Sequence, residues 1–319
     1  MKIYNFTLLW VISTSIIMAF SSSSMFYLWV ALEINMMSFV PFMNAKDSIS
    51  INSMVMYFII QAFASSMFIF LTTMLLLNSN FLTTKISLVI LITMLIKIGA
   101  APFHVWFPQI SEGIPWFALF MLSTIQKIIP LHIVTMLMNN YIYLPIIMSA
   151  MIGSFGGFNQ ISLRKILAFS SISHLAWMMS LIYSNSNMWL IYMAIYSLIM
   201  IFMTQIFLQF NINTFSQMIL YNEQPLYFIT LMFSLGGLPP TMGFFMKWMT
   251  LKIMVFKNVM LIVPLILSSL INLYFYSRLA FPFFLKNLNS NKWNSKIINK
   301  MFYFFSTNLI VIFLLIPFL

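Results

Sequence analysis

The sequence contains no cysteine and very little charge. Of its 319 residues only 6% are charged, and only four are acidic. The absence of cysteine excludes disulfides, thiolate metal sites, cysteine nucleophiles and cysteine-ligated iron–sulfur clusters. Any redox chemistry in which the protein takes part must therefore occur on another chain.

Apolar residues take the place of the missing charge. Hydrophobic residues make up 62% of the chain, and the mean hydropathy is +1.00. A soluble domain normally has about a quarter of its residues charged, so this composition predicts an all-α, polytopic membrane protein. The net charge of +11 is dispersed through loops and forms no basic, aromatic-rich face, which argues against a nucleic-acid partner.

Long apolar runs separated by short polar breaks predict eleven transmembrane helices in one domain, residues 1–319. Each run is close to the ~20 residues that a helix needs to cross a bilayer. The predicted spans are 4–20, 24–43, 53–77, 86–107, 115–138, 141–160, 164–183, 188–210, 226–254, 258–281 and 301–319.

Basic residues in the loops predict the orientation of the chain. Three of them, Lys85, Lys252 and Lys257, fall on the side opposite the N-terminus. Nine fall on the N-terminal side: Lys2, Lys46, Arg164, Lys165, Arg278, Lys286, Lys292, Lys296 and Lys300. By the positive-inside rule the N-terminus lies in the cytoplasm or the mitochondrial matrix.

Four charged residues fall deep inside predicted spans. They are Lys97, Lys127, Lys247 and one acid, Glu33, at the middle of the second span. A lysine at the bilayer centre costs roughly 2.5–3.5 kcal/mol on insertion scales, and such residues commonly mark ion or proton paths. Transport of an ion or a proton is therefore the first hypothesis. The alternatives are a lysine that snorkels to the interface and a carboxyl group that bonds a neighbouring helix.

Prolines interrupt two of the spans that carry a lysine. Pro102 follows Lys97 in the fourth span, and Pro239 and Pro240 precede Lys247 in the ninth. Proline donates no backbone hydrogen bond, so carbonyls one turn earlier are freed and the helix breaks. The two segments are five spans apart and cross in opposite directions. This pattern is typical of inverted repeats, here spans 1–5 and 6–10.

The fifth and seventh spans contain further candidate residues. Lys127 lies near the middle of the fifth span, and Pro130 follows it within one turn. In the seventh span Ser170, Ser173 and His174 share one helical face with Trp177, along which a proton could pass. The alternative for His174 is a hydrogen bond that joins packed helices.

Five motifs together resemble the antiporter-like membrane subunits of respiratory complex I, and they extend from the second span to the ninth in the family's order. They are A-L-E-I-N-M-M-S-F from Ala31 to Phe39, K-I-G-A-A-P-F-H-V-W-F-P from Lys97 to Pro108, Q-K-I-I-P-L from Gln126 to Leu131, S-L-R-K-I-L-A-F-S-S-I-S-H-L-A-W-M from Ser162 to Met178, and L-G-G-L-P-P-T-M-G-F-F-M-K-W from Leu235 to Trp248.

This resemblance implies a proton-translocating subunit of complex I in the mitochondrial inner membrane, in contact with phospholipids and other membrane-arm subunits. Glu33 and Lys97 would be the coupling pair, Lys127 the central relay, and Lys247 the exit or the link to the next subunit. His174 would be a further proton carrier. The resemblance implies no cofactor in this chain, with NADH, FMN, iron–sulfur clusters and ubiquinone bound by partner subunits.

Two other classes of function remain open from the sequence. A stand-alone cation/proton antiporter would be expected to carry more buried acids, and a purely structural scaffold would not need three mid-membrane lysines. If the chain conducts protons, its four buried ionisable groups should form one hydrated row. Hydroxyl groups would fill the gaps, with Ser123, Thr124, Ser170 and Ser173 as the nearest candidates.

Overall fold

The computed structural model describes residues 2–287 except 46, 78–82, 138–139, 211, 215–216, 218–224 and 240. This part of the chain is nearly all helical and contains no β-strand, apart from one isolated bridge between Ser162 and Thr214. The all-α class is confirmed. In chain order the helices are α1 Lys2–Ser21, α2 Met25–Phe39, α3 Ser48–Leu77, α4 Thr83–Ile98, α5 Trp106–Gly113, α6 Trp116–Ser123, α7 Ile125–Leu137, α8 Tyr143–Phe158, α9 Leu163–Tyr183, α10 Met188–Phe210, α11 Pro225–Gly236, α12 Met242–Lys257 and α13 Ile262–Asn287.

The first ten predicted spans each coincide with one helix or with two consecutive helices. Among the described residues, six segments are long and apolar enough to cross a membrane: Met25–Met43, Ser48–Leu75, Trp116–Leu137, Leu163–Tyr183, Met188–Gln209 and Val259–Pro282. Helices α1 and α8 are apolar but shorter. The eleventh predicted span, 301–319, and the lysine-rich loop before it lie outside the described residues.

The chain divides into two compact units, one up to Ser149 and one from Ala150 onward. In the first unit α3 packs against α2, α4 and α5, while α7 packs against α1, α2, α4 and α6. In the second unit α9 packs against α10, α12 and α13, while α11 packs against α10, α12 and α13. The single domain, the inverted repeat and the membrane orientation stay predictions.

Each unit contains one of the two predicted proline-interrupted helices, and both interruptions are confirmed. Helix α4 ends at Ile98 and α11 ends at Gly236. The next residue in each case is a glycine with positive φ, 72° at Gly99 and 81° at Gly237. Glycine adopts this backbone conformation without the steric penalty that a side chain would bring. The chain therefore leaves the helix at both glycines and becomes helical again only in α5 and α12.

Backbone hydrogen bonds close the two helix ends in the same way. The amide of Ala100 donates to the carbonyl of Leu95, and the amide of Leu238 donates to the carbonyl of Phe233, both at 3.1 Å. A bond between residues five apart, across a glycine in the left-handed conformation, is the usual way to end a helix with its carbonyls satisfied. The breaks are thus ordered helix ends with their own hydrogen bonding.

The fifth span contains an interruption that the sequence did not predict. Helix α6 ends before Thr124, whose φ of −120° and ψ of −76° are not helical, whereas Pro130 lies within α7. The Thr124 hydroxyl donates to the carbonyl of Phe120 at 2.7 Å, and the Thr124 amide donates to the same carbonyl at 3.1 Å. Threonine hydroxyls compete in this way for helical carbonyls. The interruption places Lys127 in the first turn of α7.

Gly243, near the start of α12, lies directly against α11. A Cβ atom added there would overlap the carbonyl oxygen of Ser234. We expect Gly243→Ala to destabilise the protein by about 1–3 kcal/mol, the usual cost of overpacking, because a backbone segment would have to move. The measurement is the melting temperature and the yield of the protein in membranes.

Gly236→Ala is the matched control for this substitution. A Cβ atom at Gly236 would meet its nearest neighbour at 3.7 Å, an ordinary van der Waals contact. Equal melting temperatures for Gly243→Ala and the unaltered protein would contradict the close approach of α11 and α12.

Candidate functional site

The three lysines predicted to lie within the membrane are buried. Their side chains are only 6% exposed at Lys97, 2% at Lys127 and 6% at Lys247. All three lie close to a helix interruption: Lys97 in the last turn of α4, Lys127 in the first turn of α7, and Lys247 in the second turn of α12. A buried ammonium is costly unless polar or aromatic groups compensate its charge. Interrupted helices supply such groups through carbonyls that no longer bond within the helix.

Lys97 and Lys127 line the same small cavity in the first unit. Its volume is about 10 Å³, room for about one water molecule. The structure thus brings two of the predicted site residues together at one polar pocket. The other lining residues are Tyr57, Gln61, Ile98, Trp106, Phe107, Leu122 and Gln126.

Side chains satisfy the carbonyls at the broken end of α4. Gln61 Nε2 donates to the carbonyl of Lys97 at 3.1 Å. Trp106 Nε1 donates to the carbonyl of Ile96, also at 3.1 Å. The helix end that carries Lys97 is therefore held from α3 on one side and from α5 on the other.

Lys127 contacts an aromatic ring. Its Nζ atom lies 4.6 Å from the centroid of the Phe107 ring, within the range of a cation–π interaction. The N-terminal end of α7 is the positive end of the helix dipole and does not favour a cation. The ring of Phe107 therefore supplies an attraction that the helix itself does not.

A chain of three polar side chains connects three helices beside this cavity. Tyr57 Oη on α3 donates to Gln126 Oε1 at 3.2 Å. Gln126 Nε2 on α7 donates to Asn35 Oδ1 on α2 at 3.1 Å. Tyr57 and Asn35 are both only 2% exposed, whereas the central Gln126 is half-buried, so the two hydrogen bonds are partly shielded from water.

Glu33 lies on α2, two residues before Asn35, and is half-buried. It lies on the helix next to α3, which packs against the helix of Lys97. The predicted partnership between the acid of the second span and the lysine of the fourth stays a prediction.

Lys247 lies in the helix that follows the interruption of the second unit, whereas Lys97 lies in the helix that precedes the interruption of the first. The Nζ atom of Lys247 donates to the carbonyl of Gly236 at 2.7 Å. A Cβ atom added at Gly237 would lie 3.0 Å from Nζ, so the lysine side chain lies directly over this glycine. The sequence predicted that Pro239 and its neighbour would free the carbonyl of Gly236. The lysine of the same interrupted helix satisfies it.

His174 lies in the second unit and is 1% exposed. Its Nδ1 atom is 2.8 Å from Tyr192 Oη, and its ring centroid is 4.9 Å from that of Tyr196. On the same face of α9, Ser173 Oγ accepts a hydrogen bond from Asn272 Nδ2 at 2.7 Å. The predicted polar face of the seventh span thus contacts polar side chains of α10 and α13.

The hydroxyl groups predicted to fill the gap beside Lys127 bind the backbone instead. Ser123 and Thr124 donate to the carbonyl of Phe120 at 3.0 and 2.7 Å. Tyr57 and Gln61, which sequence reasoning missed, line the cavity in their place. Their spacing of four residues within an apolar helix puts them on one face, and this spacing was the signal that could have found them.

The other two histidines contact a neighbouring aromatic ring and a local backbone carbonyl. The ring of His132 packs against that of Phe20, with centroids 4.5 Å apart. His104 lies in the interrupted segment after α4, with Nδ1 3.2 Å from the carbonyl oxygen of Pro102. Within the described part of the chain no group of three or more His, Asp or Glu could hold a metal ion.

Sequence comparison finds similar proteins over most of the chain. The family model described as NADH:quinone oxidoreductase/Mrp antiporter, transmembrane, matches residues 22–272. NADH-ubiquinone oxidoreductase chain 2 of Anopheles gambiae is 39% identical over 308 residues, which cover 92% of this chain and 90% of that protein. The protein of the same name from Symphalangus syndactylus is 39% identical over 282 residues, which cover 82% of this chain and 80% of that protein.

Solved structures share the fold at lower sequence identity. A chain of respiratory complex I from Thermus thermophilus matches with a TM-score of 0.76 and 19% identity, covering 88% of this chain and 70% of that one. A chain of the archaeal membrane-bound sulfane sulfur reductase matches with a TM-score of 0.81 and 12% identity, covering 98% and 73%. A chain of the Mrp complex from Dietzia sp. matches with a TM-score of 0.72 and 13% identity, covering 85% and 59%.

Proposed function

This chain belongs to the NADH:quinone oxidoreductase/Mrp antiporter membrane family, in the group of NADH-ubiquinone oxidoreductase chain 2, and we propose that it moves protons across the mitochondrial inner membrane as a membrane-arm subunit of respiratory complex I. The family predicted from the motifs is confirmed. The partners are the other membrane-arm subunits and phospholipids. NADH, FMN, iron–sulfur clusters and ubiquinone belong to partner subunits, whose electron transfer supplies the energy.

One observation carries this proposal: three buried lysines lie close to helix interruptions in an otherwise apolar membrane protein. The ammonium of Lys247 bonds a carbonyl at its interruption, and that of Lys127 lies over an aromatic ring, so specific contacts offset part of the cost of burial. A purely structural scaffold could replace the lysines with apolar residues of similar volume and gain stability. Buried lysines have a function in this protein if they accept and release protons.

In the first unit, Glu33 and Lys97 are the coupling pair. When Lys97 gains or loses a proton, the charge that Glu33 experiences changes, and the acid can respond by moving with α2. Lys127 is the central relay. A proton can pass between Lys97 and Lys127 through the cavity they share, which has room for about one bridging water. The attraction of Phe107 acts only on the protonated form of Lys127, so the contact weakens when the proton leaves.

In the second unit, Lys247 is the exit group or the link to the next subunit. The carbonyl of Gly236 holds its ammonium when the lysine is protonated. His174 is a further carrier, because imidazole accepts a proton at one nitrogen and donates from the other, and Tyr192 is within hydrogen-bond distance of its Nδ1. That Glu33, Lys97, Lys127 and Lys247 form one hydrated row stays a prediction.

The test is made on the assembled complex from native inner membranes. Material captured through this chain should oxidise NADH with ubiquinone and, in sealed vesicles, move protons. Lys247→Met should lower the rate of proton translocation about a hundredfold, the lower end of the range for loss of a proton-transfer group. Lys252→Met on the same helix is the control, because Lys252 is exposed.

Two results would contradict the proposal. If Lys247→Met and Lys127→Arg both pump normally, the protein is a scaffold. If the purified chain alone exchanges cations for protons without NADH, it is a stand-alone antiporter.

A further inference from the structure

The proposed relay gives no role to the hydrogen-bonded chain Tyr57–Gln126–Asn35. Two of its members, Tyr57 and Gln126, line the cavity of the two lysines. The third, Asn35, is buried on α2 in the helix that carries Glu33. These three hydrogen-bonded side chains therefore connect the cavity to α2, the helix that carries Glu33.

The amide of Gln126 is the central link. Its oxygen accepts from the Tyr57 hydroxyl at 3.2 Å, and its nitrogen donates to the Asn35 oxygen at 3.1 Å. Both ends of the amide are thus used, one toward α3 and one toward α2. Losing the side chain of Gln126 would leave a buried hydroxyl and a buried amide oxygen without these partners, which is costly.

The position of Gln126 on its own helix matters as much as its bonds. It directly precedes Lys127, and both lie in the first turn of α7, just after the interruption at Thr124. The first turn of a helix lacks part of the backbone hydrogen bonding that fixes its interior. Side-chain contacts such as those of Gln126 therefore decide how this turn, and Lys127 with it, is oriented toward the cavity.

We propose that Gln126 is a positioning residue that links the Glu33 helix to Lys127. Through Asn35 it ties the first turn of α7 to α2, and through Tyr57 it ties that turn to α3. A displacement of α2 at Glu33 is then transmitted to the orientation of Lys127 at the cavity. This inference rests on the proposed function, because it assumes that Lys127 carries protons.

The test uses the assembled complex in sealed vesicles. Gln126→Met keeps the volume of the side chain and removes both hydrogen bonds. We expect it to lower the rate of proton translocation per assembled complex by about three- to tenfold, the range for loss of a buried hydrogen bond. The amount of assembled complex and the reduction of ferricyanide by NADH should stay unchanged.

The same types of substitution at exposed positions of the first unit serve as controls. Gln109→Met on α5 and Tyr27→Phe on α2 change exposed side chains. Neither should alter proton translocation. Tyr57→Phe removes only one hydroxyl of the buried chain and should have a smaller effect than Gln126→Met.

A double variant separates positioning from independent effects. Once Gln126→Met has removed both bonds, adding Tyr57→Phe should lower the rate no further, because the two residues act through one contact. Additive effects would overturn the proposal. A loss of pumping that only parallels a loss of assembled complex would also overturn it, because the three residues would then merely fasten the helices.

The Lys127→Arg variant distinguishes this inference from the function on which it rests. If Lys127→Arg blocks pumping while Gln126→Met pumps normally, the positioning role alone is wrong. If Lys127→Arg itself pumps normally, the relay role of Lys127 is wrong, and the positioning role is wrong with it.

Discussion

A complex with Lys127→Arg should assemble and accept electrons from NADH, but it should translocate almost no protons. Arginine keeps its proton at any accessible pH, so it can supply charge and hydrogen bonds but cannot act as a relay. Lys127 is 2% exposed and lines a cavity of only about 10 Å³, so bulk water cannot take over its role. We expect proton translocation to fall at least about a hundredfold, as when a proton-transfer group is lost.

The measurement is the initial rate of proton uptake into sealed vesicles on addition of NADH. Lys85→Arg is the matched control, since Lys85 is an exposed lysine of the first unit. Normal pumping by Lys127→Arg, with the same amount of assembled complex, would show that this lysine contributes structure and carries no proton.

Lys97→Ala should also abolish most coupled turnover. The substitution removes one of the two lysines that line the cavity and, in the proposed mechanism, the partner of Glu33. Lys97 is the proton-binding group of the proposed coupling pair, so its removal interrupts the relay. We expect a decrease of at least about a hundredfold in proton translocation, with assembly reduced much less.

Lys85→Ala is the control, because Lys85 lies on the same helix, α4, in an exposed position. Glu33→Ala tests the other half of the pair and should give a similar loss. The effects of Lys97→Ala and Glu33→Ala should not add in the double variant, because each removes the same interaction. Full additivity, or normal pumping by either single variant, would contradict the coupling role.

The helices and two of their interruptions were predictable from the sequence because their causes are local. Apolar runs of sufficient length must form helices in a bilayer, where the backbone has no other source of hydrogen bonds. Proline and glycine act on the residues next to them, so the breaks after Ile98 and Gly236 could be predicted from Pro102 and Pro239. The family too was predictable, because its motifs are contiguous stretches of sequence.

The break at Thr124 was not predictable from the same kind of signal. Threonine is common within membrane helices, and its hydroxyl usually bonds the preceding turn without ending the helix. Pro130, the proline of the fifth span, lies inside α7 and does not end the helix. Whether a hydroxyl only bends a helix or ends it depends on the helices packed against it.

The sequence by itself determined that Lys97, Lys127 and Lys247 are buried, since a charge in the middle of a long apolar run has nowhere else to go, whereas Glu33 is only half-buried. Only the tertiary structure decided what surrounds them: that Lys97 and Lys127 share a cavity, that Gly236 holds Lys247, and that Tyr57 and Asn35 meet at Gln126. Helices that are apolar on nearly all sides give no periodic pattern from which their rotation can be inferred. The partners of each side chain therefore follow from packing between distant segments, which no local stretch of the sequence records.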